Sequence, residues 1–159
     1  MVIKLHRYYG DNEVTKSVME VWMDGEEEPR LVCEAREVAY RDYVETFPGA
    51  SRYCLPVGRW RLKVGKSPYG PMGLRVPRCP GHRQVFIGHR WARQCFEGEV
   101  LIGAPRPPKG EGCRDVWEMD DEEMKERRIE NGEEVYRKLD KLVYEAFGKG
   151  EEFFIIIEN

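Results

Sequence analysis

The chain of 159 residues has no apolar run approaching the ~20 residues that would cross a bilayer as a helix. It has no Cys-x-x-Cys pair, and its five cysteines, Cys33, Cys54, Cys79, Cys95 and Cys113, are odd in number. That pattern argues against a disulfide framework and against a standard zinc site, and fits free thiols in a reducing compartment. Cys79-Pro80-Gly81-His82 resembles half of a metal site, but no second half has ligand spacing, so neither metal nor cofactor is expected. The opening Met1–Arg7 has no h-region and no small-residue cleavage site. The expectation is a protein without a secretory signal, cytoplasmic or virion-associated.

The most unusual absence is of negative charge. Residues 46–96 contain ten Lys/Arg and not one Asp or Glu, although acids outnumber bases on either side: eleven to six over residues 1–45, and eighteen to ten over 97–159. The net charge of −3 conceals this segregation. The basic middle can form a surface for an anionic ligand or partner, or it can pair with the acidic remainder through surface ion pairs worth about 0–1 kcal/mol each. Tyr53, Trp60, Tyr69, Phe86 and Trp91 interleave with the basic residues, a mixture that suits nucleic acid over residues 52–93. Core packing along strands accounts for the same aromatics.

With 41% hydrophobic and 35% charged residues the composition is globular, and the length suits one domain over 1–159. Residues 2–9 and 14–23 read as strands around Gly10-Asp11-Asn12, with Met19, Val21 and Met23 on one face and Val18, Glu20 and Trp22 on the other. Leu31–Arg36 alternates as a third strand. Gly58–Val64 sets Trp60, Leu62 and Val64 strictly against basic residues, the period of a half-buried strand. Leu74–Val76, Val85–Ile87 and Val100–Ile102 are short strand candidates, and 104–130 is a charged loop or excursion. Asn131 and Glu134 fit a helix start. Val135, Leu139, Leu142, Val143, Ala146 and Phe147 share a helical face, Gly148 supplies the stop, and Phe153–Ile157 reads as a strand buried on both faces. The expected class is α+β: a mostly antiparallel sheet or small barrel, one packed C-terminal helix and a final buried strand.

A series of short motifs carries a resemblance over nearly the whole chain. Leu55-Pro56-Val57-Gly58-Arg59-Trp60, Ser67-Pro68, Val76-Pro77 with Gly81, Val85-Phe86-Ile87-Gly88-His89, and Glu97-Gly98-Glu99-Val100-Leu101-Ile102-Gly103 follow in order. Together they resemble an uncharacterised bacterial and phage domain family of unknown function. That family's last motif reads Glu-Gly-Cys-aliphatic-x-aliphatic-Gly after an Ile-x-His step, and its His and Cys are in turn similar to those of L,D-transpeptidases. The resemblance implies a thiol activated by a histidine, since a neighbouring imidazole or cation lowers a thiol's pKa from about 8.5. It also implies cationic walls suited to a ligand with free carboxylates.

Here Glu99 stands at the position of the family cysteine, and a carboxylate cannot form the thioester that transpeptidation requires. Cys95, four residues earlier, and Cys113, in Glu111-Gly112-Cys113, are the substitutes. Glu97 and Glu99 would share a strand face about 6.6–7 Å apart, a pairing capable of acid–base work on glycosides or of ion pairs with Arg90 and Arg93. Arg36, after Glu34, reads as a buried ion-pair member or a carboxylate clamp. The expectation is a non-catalytic or catalytically degenerate relative that binds an anionic ligand or a protein partner through His89, Arg36, Arg90, Arg93 and Glu97. The alternatives are a cell-wall-directed cysteine enzyme, in one version phage-associated, and a nucleic-acid-binding protein.

Overall fold

A computed structural model describes residues 1–10, 14–38, 54–77, 85–89, 100–103 and 132–159. Its elements are β1 (Val2–Gly10), β2 (Val14–Trp22), β3 (Leu31–Val38), β4 (Gly58–Arg61), β5 (Lys63–Ser67), β6 (Gly70–Val76), β7 (Val85–Gly88), β8 (Val100–Gly103), α1 (Gly132–Gly148) and β9 (Phe154–Glu158). The class is the expected α+β, β-rich with one helix and a final strand among the described residues. The 104–130 excursion lies outside them.

The strands line up in the order β4-β9-β1-β2-β3-β8-β7-β6-β5. β1–β9 and β7–β8 are parallel and the other pairs antiparallel. The two outermost strands are successive in the chain, with only Leu62 between them. The strand expected over Gly58–Val64 is therefore a bent one. Its first half pairs with β9, a ladder that the Leu62 amide extends by donating to the Phe153 carbonyl at 2.8 Å; its second half pairs with β6. The sheet rolls until its ends meet at this corner, without a β4–β5 ladder that would close it as a barrel.

Alternation then decides what lies inside. Met1, Ile3 and Leu5, Met19 and Val21, Ala35, Val85 and Ile87, Val100 and Ile102, and Ile155 and Ile157 are all buried in one cluster. In β9 only the Ile155/Ile157 side is fully buried. Phe154 and Ile156 are half-buried, so the strand expected to be covered on both faces is covered completely on one. Burying each such aliphatic chain is worth about 1.5–3 kcal/mol.

In α1 the buried stripe is Gly132, Tyr136, Leu139, Val143 and Ala146, spaced by fours and threes as a helix packed on one side requires. Phe147, expected in that stripe, is 56% exposed. Glu133 and Glu134 stand in the first turn, where carboxylates complement the helix dipole. The stop lies two residues beyond Gly148. Gly150 takes φ +71°, its amide donates to the Phe147 carbonyl at 3.1 Å, and the Glu151 amide donates to the Ala146 carbonyl at 3.0 Å. This double closure needs a left-handed residue, which glycine supplies without steric cost.

The inward face of the sheet is not apolar throughout. Arg7 shares the side of Ile3 and Leu5, and Glu37 the side of Ala35, yet their side chains are 5% and 0% exposed. They pair bidentately: Arg7 Nε donates to Glu37 Oε2 and Nη2 to Oε1, both at 2.9 Å. The same two groups hold the backbone of Leu55. Arg7 Nη2 donates to its carbonyl, and its amide donates to Glu37 Oε1 at 3.1 Å. Thr15, Ser17 and Cys54 are buried nearby.

Removing one partner of a buried pair strands the other charge, at a typical cost of 3–5 kcal/mol. Arg7→Met and Glu37→Leu are each expected to lower unfolding free energy by about that amount, and the double variant by less than either single change. Urea denaturation of the three variants checks this.

Candidate functional site at His89

His89 follows β7 directly and is half-buried. Three separate elements bring aromatic rings together there. The Pro68-Tyr69 turn between β5 and β6 places the Tyr69 ring centroid 5.7 Å from that of His89. The second turn of α1 places Tyr136 at 5.2 Å from His89 and 5.8 Å from Tyr69. Ser67 organises the turn: its Oγ accepts from the Tyr69 amide at 3.1 Å and donates to the Gly70 carbonyl at 3.3 Å. It also shares a hydrogen bond with the Tyr136 hydroxyl.

Two glycines make the approach possible. A Cβ on Gly88 would lie 2.1 Å from a carbon of the Tyr69 ring. A Cβ on Gly132 would lie 3.0 Å from the Ile102 carbonyl oxygen and 3.1 Å from that of His89, so the start of α1 sits directly against the ends of β7 and β8.

Burial pushes the Tyr136 phenol up to about 12, reinforced by the Asp140 carboxylate one turn along and opposed by Ser67. Burial raises Asp140 as well. Tyr136 is therefore a neutral hydroxyl at physiological pH. The arrangement offers an imidazole edge, a neutral phenol and a serine hydroxyl between aromatic walls. Such a set can hold and orient a polar or anionic group.

Of the residues singled out from sequence, His89 and Arg36 are described; Glu97, Glu99, Cys95, Arg90, Arg93 and Cys113 lie outside the described residues. Arg36 is 5% exposed. Desolvation lowers its pKa, opposed by Tyr8 and Glu34, which lie close enough to favour its charge. Arg36 and Gly88 both pair with Leu101, from opposite sides of β8, which sets their Cα atoms about 9.5 Å apart. Cys33 and Cys54 are free thiols, and burial beside Glu37 pushes Cys54 up to about 11, the reverse of an activated nucleophile. Among the described residues no group of three or more His, Cys, Asp or Glu side chains is placed to hold a metal ion.

Sequence reading missed Tyr136 and left Tyr69 as one turn aromatic among several. Tyr136 was visible in the spacing Gly132-Tyr136-Leu139-Val143-Ala146, which runs through it rather than through Val135. The partnership of Tyr69 with His89 has no sequence signal short of the strand order. Comparison of the chain with family models, with curated proteins and with solved structures finds no match in any of the three.

Gly88→Ala is expected to cost about 1–3 kcal/mol through overpacking against Tyr69, and to shift the His89 ring protons as Tyr69 moves away, both readable by denaturation and NMR. Alkali provides a second check. The Tyr136 phenol holds its proton to about pH 12 when folded and to about 10 when unfolded. Its contribution to stability is complete below pH 10 and disappears as pH rises to 12. Cys54 acts in the same direction between 9 and about 11. The urea midpoint should fall across pH 9–12, and less steeply at the upper end in Tyr136→Phe.

Proposed function

We propose that this chain is a non-catalytic binding module that takes an anionic ligand, or an anionic group on a protein partner, at His89. The observation that carries this reading is the convergence of Tyr69 and Tyr136 on a half-exposed imidazole, a close packing that glycine at 88 and 132 permits. The sequence around it is acid-free from 46 to 96, which favours negative charge in the ligand. The motif series supports the same place: in the family it resembles, a histidine stands at this step and a cysteine where this chain has Glu99. With a carboxylate there, the surviving capacity is recognition rather than acyl transfer.

The expected ligand carries carboxylate or phosphate groups. Citrate and inorganic phosphate are suitable probes, followed through the imidazole resonances of the uniformly 15N-labelled protein. His89 should shift saturably while His6, on the outer face of β1, stays put, and His89→Ala should abolish the response. Equal movement of both histidines, or none at either, would sink the reading. A second measurement addresses the thiol. Glu99→Cys should create a cysteine that iodoacetamide alkylates at least tenfold faster near pH 7 than Cys54, because a histidine beside it would favour the thiolate. A sluggish new thiol would place Glu99 away from His89.

A further inference from the structure

The outer side of the sheet, away from α1, carries a second feature. Arg59, Arg61 and Lys63 are all exposed, and they alternate with Trp60, Leu62 and Val64, which turn inward. Arg59 and Arg61 thus share one face of β4, about 6.6–6.8 Å apart along the strand, and Lys63 follows at the start of β5 past the bend at Leu62. Neither β4 nor β5 contains a carboxylate.

Aromatic rings stand beside this line. Arg61, Phe154, Val2 and Trp22 form one cross-strand row over β4, β9, β1 and β2; Arg59, Ile156, Lys4 and Glu20 form the next. The Arg59 guanidinium lies 4.1 Å from the Phe154 ring centroid, and Lys4 Nζ lies 4.5 Å from that of Trp22. Helix α1 packs on β8, β6 and β3, so it does not cover these rows. The acids on this side are already engaged. Glu152 meets Arg61 at 3.6 Å with both groups 66% exposed, an ion pair that a denser anion readily displaces. Glu20 accepts from the Trp22 indole at 2.9 Å and lies 3.5 Å from His6, while Glu158 lies 3.2 Å from His6.

We infer that the outer face of β4, β9, β1 and β2 binds single-stranded nucleic acid. A line of exposed cations attracts a phosphate chain, and rings already stacked against cations offer platforms for planar bases. An acidic peptide would satisfy the charges and leave the rings without a planar partner. A duplex would keep its base faces to itself. This surface is separate from the His89 site and does not depend on it.

The test is fluorescence anisotropy of a labelled oligothymidylate with the whole chain. Binding should weaken linearly on a logarithmic scale as salt rises. The triple variant Arg59→Glu/Arg61→Glu/Lys63→Glu, with circular dichroism unchanged, should bind at least tenfold more weakly. Polyglutamate and a duplex of equal length should each compete at least tenfold less well than the unlabelled single strand. Indole quenching on binding should diminish in Trp22→Phe, an independent reading if the triple variant fails to fold. No binding at low salt, equal competition by polyglutamate, or unaltered affinity in the triple variant would overturn the inference. His89→Ala should leave oligonucleotide binding intact while abolishing the citrate and phosphate response, so the two readings fail separately.

Discussion

A rolled sheet whose first and last strands are successive in the chain must fix where that corner falls, and the paired Arg7 and Glu37 hold the chain just before it. Their side chains grip both the amide and the carbonyl of Leu55 from inside, so the polypeptide enters β4 three residues later in a set position. Buried ion pairs are poor sources of stability compared with well-packed apolar residues. What this pair fixes is place. With Leu55 held, Gly58 meets Ile157, Arg61 meets Phe154, and the bend at Leu62 delivers Lys63 to Arg75.

The interior is correspondingly divided. One region is polar, with Arg7, Glu37, Thr15, Ser17 and Cys54; another is apolar and receives the stripe of α1. The His89 cluster lies where that helix begins against the ends of β7 and β8. Its rings arrive from a hairpin turn, a strand end and a helix, so its geometry is a product of the whole fold. Burial of Tyr136 in that corner holds its proton to a higher pH than an exposed phenol would, so its hydroxyl keeps a hydrogen to donate.

Much of this was legible from periodicity. Met19, Val21 and Met23 face inward as their alternation requires, and the helix lies within a residue or so of where capping and spacing put its start. Failures occurred where a local rule met a global one. Gly58–Val64 alternates without fault and still bends at Leu62, because inward and outward facing say nothing of which neighbour each half pairs with. Phe147 lies beside the helical stripe but beyond the reach of the sheet, so it faces solvent. Arg7 and Glu37 broke the alternation of their strands. Two opposite charges at inward positions are the signature of a buried pair, and sequence could have offered that reading. The convergence of Tyr69 on His89 could not be had from sequence, since it depends on β5 and β6 lying next to β7.

The parallel pairing of β1 with β9 has a consequence for the order in which the molecule can be assembled. Val2 through His6 find their hydrogen-bonding partners at Phe154 through Glu158, across almost the full span of the polypeptide. β4 draws on the same strand. During synthesis, the β1-β2-β3 meander must therefore wait with an open edge, and β4 with no ladder, until the ribosome has released the last strand. Contacts this distant are slow to form, and edges left waiting invite association between chains. Loss of β9 would leave β1 and β4 without the strand that both pair with.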